Sequence, residues 1–309
     1  MTILLAVTGF DPVVWHDALS AIAPDRPVVV DGQDFDPSAI EYAIVWKQRP
    51  GVLKGLPNLK AVFSIGAGVD HIFRDGTLPD VPIARAVAPD LTNRMSEYVL
   101  WQVLDHHRLG SLYRRQQAAR LWSENTRQRS AADVTVGIMG LGVLGMDAAR
   151  KLQLLGFNVR GWGRTPKAVD GFDYHHGDNG LDAFLTGCDM VVCLLPLTPQ
   201  TRGMLSASLF ERMDDATVLI NAGRGGLQVE NDIVAALASG KLAAASLDVF
   251  ETEPLPADSP LWAHPKVTIT PHAAASSMPQ ALIPPIIAQM QALERGEPLV
   301  NLVDREAGY

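Results

Sequence analysis

Val134-Thr-Val-Gly-Ile-Met-Gly-Leu-Gly-Val-Leu-Gly145 decides the fold. A short β-branched strand runs into Gly140-x-Gly142-x-x-Gly145, and a helix is predicted over 146–155. That order suits a dinucleotide. Gly140 takes a tight turn, Gly142 lets the backbone approach a pyrophosphate with no Cβ in the way, and Gly145 lets the helix pack close on the strand. The start of the helix, with Val143 and Leu144 beside the glycines, offers N–H groups and a partial positive charge to phosphate. Three glycines at this spacing also occur in structural turns, so the readable strand and helix on either side carry the assignment.

Downstream, strand signals follow at 158–162, 190–195, 218–221, 244–248 and 267–270 with helical stretches between them. Together with 134–139 they predict a doubly wound sheet of six parallel strands. Upstream, strands at 3–7, 28–30, 43–46, 61–64 and 83–84 and a helix at 15–22 repeat the rhythm of a parallel sheet with crossover helices. That half lacks the glycine fingerprint and is a poor cofactor site. A long helical pattern over 91–120, with Leu91, Met95, Val99, Leu100, Val103 and Leu104 on its apolar face, marks the boundary. Beyond Pro271 a helix with Pro284-Pro285 inside it or near its start runs to about Glu294, and the polar tail after it returns to the first half. The expected fold is α/β, with two Rossmann-like doubly wound parallel-sheet domains and the active site in the cleft between them. The first, residues 1–100 with 280–309, is a discontinuous substrate-binding domain, and 101–279 is the dinucleotide-binding domain.

Composition excludes other classes. With 47% hydrophobic and 19% charged residues among 309, and no low-complexity stretch, the chain reads as a folded globular protein. A net charge of −8 argues against nucleic acid or a membrane surface as partner, so an anionic ligand needs local positive groups. The apolar start, Met1 to Thr8, lacks a basic lead-in and is too short to span a bilayer; it reads as a strand in a cytoplasmic protein. Cys188 and Cys193 read as buried thiols. Neither His106-His107 nor His175-His176 has a third ligand at metal spacing, so no metal site is expected.

In an NAD-binding unit the second strand ends in an acid that bonds the ribose hydroxyls. Here it ends Gly161-Trp-Gly-Arg-Thr-Pro-Lys167, with Arg164, Thr165 and Lys167 where the acid belongs. A guanidinium can bind a 2′-phosphate bidentately, which favours NADPH over NADH, although NADH remains possible. The alternative is a basic loop in solvent.

Three later strands deliver polar residues to their C-terminal ends, where ligands bind in open α/β sheets. Asn221-Ala-Gly-Arg224 follows one, Asp248-Val-Phe-Glu-Thr-Glu253 the next, and Thr270-Pro-His272 the last. Such a trio suits a 2-keto acid. Arg224 can grip the carboxylate and polarise the keto oxygen while a nicotinamide delivers hydride, and His272 can protonate the developing alkoxide. Glu253 beside His272 would favour the imidazolium and fix its tautomer. Singly, each residue also reads as a surface arginine, a turn glutamate or a loop histidine. In the first half, Ser64-Ile-Gly-Ala-Gly-Val-Asp70 ends a strand in a turn whose N–H groups form either an anion nest or a tight turn with no ligand.

Taken together, Gly140–Gly145, Leu194-Leu-Pro-Leu-Thr-Pro-Gln-Thr201, Asn221-Ala-Gly-Arg-Gly225, Leu247-Asp-Val-Phe250, Glu253-Pro254, Thr270-Pro-His272 and Gly66-Ala-Gly-Val-Asp70 resemble the D-isomer-specific 2-hydroxyacid dehydrogenases. Ser259-Pro-Leu-Trp262, the Arg164 region and the C-terminal tail narrow the resemblance to members that reduce glyoxylate to glycolate and hydroxypyruvate to D-glycerate. It implies Arg224 as substrate binder, Glu253 as partner of the histidine and His272 as acid/base. It further implies that Asp248 and the main chain at Ala274 hold the nicotinamide carboxamide, that Leu195, Pro196 and Thr201 lie along the cofactor, and that Ala222 and Gly223 border it. Ile65, Gly66, Ala67 and Gly68 would supply carboxylate-binding N–H groups, Trp46 would wall the pocket, and the protein would be a homodimer joined through its cofactor domains. Lys47-Gln-Arg-Pro50 and Leu91-Thr-Asn-Arg94-Met95 depart from the form expected of that branch. Two rival readings stand: an NAD-dependent relative acting on a bulkier acid, which needs an acidic residue at 163–165, and a nucleotide-sensing binding protein on the same fold.

Overall fold

The computed structural model describes every residue from Met1 to Tyr309. The chain divides into two compact units, Met1–Leu91 with Ser277–Tyr309, and Thr92–Ser276; the sequence placed these boundaries at 100 and 280.

The first unit opens with β1 (Thr2–Val7), whose middle residues Ile3 to Ala6 are all buried, as in a strand covered on both faces of a parallel sheet. Helix α1 (Pro12–Ile22) starts where Asp11 accepts a hydrogen bond from the Val13 N–H, with Pro12 in the first turn where no N–H is needed. It buries Trp15, Ala18 and Leu19. Next come β2 (Val28–Val30), β3 (Ile40–Trp46), β4 (Ala61–Ser64), the single turn α2 (Asp70–Phe73) and β5 (Ile83–Arg85). All five strands are parallel in the order β2-β1-β3-β4-β5, the doubly wound order that reverses between β1 and β3.

Helix α3 (Pro89–His107) begins in the first unit and continues into the second. The helical pattern predicted over 91–120 is two helices, because Leu109 turns left-handed at φ 59° and α4 (Gly110–Ala118) starts afresh. A β-carbon on Gly110 would overlap the Asp105 carboxylate, which takes two hydrogen bonds across the break from Arg114 at 2.7 and 2.8 Å.

In the second unit β6 (Thr135–Met139) leads through the glycine turn into α5 (Val143–Leu154) and β7 (Asn158–Gly163). Here the structure corrects the six-strand expectation: Asp173–His176, which contains the His175-His176 pair, is a seventh strand, β8. It pairs only with β7, and an edge strand with one solvated side carries polar residues that hide its pattern. The remaining elements are α6 (Leu181–Leu185), β9 (Met190–Cys193), α7 (Ala207–Glu211), β10 (Thr217–Asn221), α8 (Glu230–Ser239), β11 (Leu242–Leu247) and β12 (Val267–Ile269). The parallel order β12-β11-β10-β9-β6-β7-β8 is a Rossmann arrangement with one strand added, and it reverses between β6 and β9. Neighbouring strand residues fall into opposite cores: Val191, Cys193 and Leu219 on one face, Met190, Val192 and Ile220 on the other. Each fully buried aliphatic side chain of this kind contributes about 1.5–3 kcal/mol. Burial pushes both cysteine thiols up to about 12, so they remain neutral packing groups.

The last helix, α9 (Pro279–Glu294), contains Pro284 and Pro285 and belongs to the first unit. It buries Leu282, Ile283, Ile286, Ile287 and Met290, a stripe of helical period, and its Glu294 holds Arg26 at 2.7 and 2.8 Å. The tail then meets β5, where Ala84 and Leu302 form an antiparallel bridge. No helix is long and apolar enough to cross a membrane.

Candidate active site

The glycine turn has the geometry its sequence demands. Gly140 sits at φ 101°, and a β-carbon there would meet the Leu194 carbonyl at 2.9 Å. On Gly145 one would overlap the Gly140 carbonyl oxygen. Gly142, by contrast, faces open space: an added Cβ meets nothing within 4 Å. It is also the N-cap of α5, which begins with Val143 and Leu144 and has no side-chain cap, so the positive end of a twelve-residue helix opens on that space.

Arg164 and Thr165 lie exposed in the loop after β7. Tyr174 of β8 donates to the Thr165 carbonyl at 2.9 Å, and Lys167 donates to the Leu141 carbonyl at 3.0 Å. That second bond ties the basic loop to the glycine turn, one strand away. Beyond β9, Leu195 is buried and Pro196 accepts from the Thr201 hydroxyl at 2.7 Å. Ala222 donates to the Cys193 carbonyl at 3.2 Å, and Gly223 leaves no room for a side chain beside the Leu195 carbonyl.

Arg224 follows β10, and its loop is held by two buried amides that the sequence reading missed. The Asn221 side chain accepts from the Gly223 N–H at 3.0 Å, donates to the Arg224 carbonyl at 3.1 Å and donates to Gln228 Oε1 at 2.8 Å. Gln228 in turn donates to the Val249 carbonyl at 2.9 Å, joining the loops after β10 and β11. Asn221 closing an otherwise apolar strand was a readable signal; Gln228 carried none. A β-carbon on Gly225 would overlap the Phe250 carbonyl, so the two loops lie in backbone contact.

The loops after β11 and β12 meet through the acid and the imidazole. His272 Nδ1 lies 2.9 and 3.0 Å from the two Glu253 carboxylate oxygens. A carboxylate only accepts, so Nδ1 carries the hydrogen of this pair. Both side chains are about one-quarter exposed, at 28% and 23%, within reach of a small molecule. Asp248 is 1% exposed and accepts from the Ala273 and Ala274 N–H groups at 2.8 and 3.1 Å and from the Thr270 hydroxyl at 2.7 Å. β6, β7, β9, β10, β11 and β12 are all parallel, so their C-terminal loops gather on one sheet edge.

The remaining predicted residues belong to the first unit. The Trp46 ring crosses Gly66 so closely that any β-carbon there would overlap it, and it packs against His71 at 4.7 Å between ring centroids. Lys47 Nζ stands 6.0 Å from the Trp46 ring centre. Ile65 gives its N–H to the Val45 carbonyl and Gly66 gives its own to the Ser64 hydroxyl, both at 3.2 Å. Those two N–H groups are therefore engaged within the unit itself, and Ala67 and Gly68 are the half-buried part of the turn. No group of three or more His, Cys, Asp or Glu side chains is gathered in a way that could hold a metal ion.

Comparison with known proteins agrees with this geometry. The family model for the D-isomer specific 2-hydroxyacid dehydrogenase NAD-binding domain matches residues 100–274. A glyoxylate/hydroxypyruvate reductase A of Yersinia enterocolitica is 42% identical over the full length of both chains. Among solved structures, the NADPH-dependent glyoxylate/hydroxypyruvate reductase of Sinorhizobium meliloti, in complex with NADP and sulfate, is 47% identical with a TM-score of 0.95, covering 100% of this chain and 99% of that one. A D-isomer specific 2-hydroxyacid dehydrogenase of Xanthobacter autotrophicus, in complex with NADPH and MES, is 41% identical with a TM-score of 0.94 at the same coverage. A parallel sheet that gathers a glycine turn, an arginine and a histidine–glutamate pair on one edge, with relatives of this identity along its whole length, shows that the chain belongs to the D-isomer specific 2-hydroxyacid dehydrogenase family.

Proposed function

We propose that this protein reduces small 2-keto acids with NADPH, converting glyoxylate to glycolate and hydroxypyruvate to D-glycerate. The observation that carries the reading is the His272–Glu253 pair, set on the same sheet edge as an open glycine turn. Full-length relatives bearing that activity in their names supply the substrate class. The structure fits the cofactor: Gly142 leaves unfilled space at an uncapped helix start, and the strand that would end in an acid for NADH leads instead to Arg164. Gly140 to Gly145 would hold the pyrophosphate and Arg164, Thr165 and Lys167 the 2′-phosphate. Leu195, Pro196, Thr201, Ala222, Gly223, Asp248 and Ala274 would border the rest. When bound, NADPH supplies the hydride to the keto carbon.

The chain's own residues do the remaining work. Arg224 would bind the substrate carboxylate and polarise the keto oxygen, its loop already fixed by Asn221 and Gln228. His272 would deliver the Nε2 proton to the oxygen as negative charge develops there, while Glu253 keeps the ring oriented through Nδ1. For the first unit, the N–H groups of Ala67 and Gly68 are proposed carboxylate donors and Trp46 a wall against larger substrates.

The proposal extends to a cytoplasmic homodimer joined through the second unit. Trp122 is fully exposed beside Leu121 after α4, and Trp101 and Leu104 are exposed on α3, an apolar set that a second copy would cover. The test of function is a spectrophotometric scan of small keto acids with NADPH and NADH in parallel. Turnover of glyoxylate and hydroxypyruvate with NADPH is expected, and turnover only of bulky acids with NADH would overturn the reading.

A further inference from the structure

Tyr98, Gln102 and His106 recur every four residues along α3 and so share one face of the helix. Each makes a polar contact with β11 or with the loop after β12. His106 Nε2 lies 2.8 Å from the Ser246 hydroxyl, which donates to Gln102 Oε1 at 2.6 Å, and the Tyr98 hydroxyl lies 2.9 Å from Thr270 Oγ1. Ser246 and Gln102 have no solvent exposure and Tyr98 is buried, so the middle of this seam is dry. The direction of the last contact follows from counting hydrogens. Thr270 has one hydroxyl hydrogen and gives it to Asp248 at 2.7 Å, so Tyr98 must be the donor to Thr270.

The chain Tyr98 to Thr270 to Asp248 ends at the backbone that carries His272. Asp248 collects the N–H groups of Ala273 and Ala274 on its carboxylate, and its main-chain carbonyl accepts from the His272 N–H at 2.8 Å. His272 itself stands at φ 54°, in the left-handed region that residues with a β-carbon avoid, and it keeps that conformation only where its surroundings enforce it. We propose that Tyr98 is a positioning residue for the acid/base. From α3 its hydroxyl completes the hydrogen-bonded clamp that holds the 270–274 loop, and with it the His272 ring, in the geometry that reaches Glu253. This inference rests on the reading of His272 given above.

The experiment compares wild type with Tyr98→Phe, which keeps the ring and removes the donor. Turnover of glyoxylate with NADPH should fall about fivefold, the equivalent of one hydrogen bond, with KM and NADPH affinity held within about twofold. Backbone hydrogen exchange over 270–274 should speed up by a similar factor without cofactor or substrate. Thr270→Val should reproduce both effects, Thr270→Ser should restore them, and Tyr98→Phe/Thr270→Val should be no worse than Thr270→Val alone. An active wild type whose Tyr98→Phe variant keeps its turnover and its exchange rate overturns the clamp. Wild type inert toward every 2-keto acid overturns the functional reading instead, while the exchange comparison still decides whether the clamp exists.

Discussion

Two turns in this molecule begin alike and end differently. After β6 and after β4 the chain leaves a parallel strand, passes through closely spaced glycines and enters a helix. In the second unit the space beside Gly142 is empty and the following helix has no side-chain cap. In the first unit the space beside Gly66 is filled by the protein's own Trp46 ring, and the N–H groups of Ile65 and Gly66 already have acceptors. One turn leaves room for a ligand and the other makes room for a side chain. A glycine's function is thus settled by what occupies the place where its β-carbon would be.

The comparison can be broken most severely at the edge shared with the second-unit turn. Replacing Arg224 with Gln should lower kcat/KM for glyoxylate by about a thousandfold with NADPH affinity nearly unchanged, because the interactions proposed for it are with the reacting substrate. Steady-state kinetics alongside cofactor titration check this; a parallel loss of NADPH binding would mean that Arg224 serves the cofactor.

The glycines themselves sharpen the contrast. Gly142→Ala should fold with wild-type thermal stability yet bind NADPH about tenfold more weakly, since the methyl would enter the open space proposed for the pyrophosphate. Gly66→Ala should leave NADPH affinity intact and lose about 1–3 kcal/mol of stability, because the Trp46 ring must move. Thermal melts and fluorescence titrations of both variants would refute the distinction if the two behaved alike. An effect of the same size, but selective between the two cofactors, is expected at the neighbouring loop. Arg164→Ala should weaken NADPH about tenfold while NADH changes little, by loss of a charge-assisted contact to the 2′-phosphate. Equal losses for both cofactors would remove Arg164 from phosphate recognition.

The least effect on activity is expected far from either turn. The Arg26 guanidinium, by hydrogen bonding and charge, holds Glu294 below its ordinary value of 4.5. A carboxyl depressed in the folded state contributes stability that is complete above its unfolded pKa and disappears as pH falls through the lower folded value. Glu294→Gln should therefore cost about 2 kcal/mol at neutral pH, and the gap from wild type should close as the pH drops below about 4.5. Denaturant unfolding at several pH values measures it, and a gap that widened in acid would contradict the linkage.

The glycine turn and the residues at the ends of β10, β11 and β12 were legible because strand, turn and polar residue follow one another within a few positions. β8 was not legible, since an edge strand reading Asp-Tyr-His-His has neither an apolar run nor a clean alternation. The break at Leu109 escaped the helical pattern because left-handed geometry there depends on Gly110 and on the Asp105–Arg114 pair, which join residues nine apart. Gln228 and Tyr98 act through hydrogen bonds to other elements, and nothing in their local sequence announces a partner. The engagement of the Gly66 N–H by Ser64, however, was available in the sequence: a serine two residues before a glycine is a ready acceptor for that glycine's N–H.

The account stands on His272 as the proton donor, and a single-turnover measurement reaches it most directly. Enzyme loaded with NADPH is mixed with glyoxylate, and cofactor oxidation is followed for wild type and His272→Gln after NADPH affinity has been matched. We predict that the variant binds NADPH as wild type does but oxidises it at least about a hundredfold more slowly. Equal rates in the two proteins would contradict the assignment of His272 as the acid.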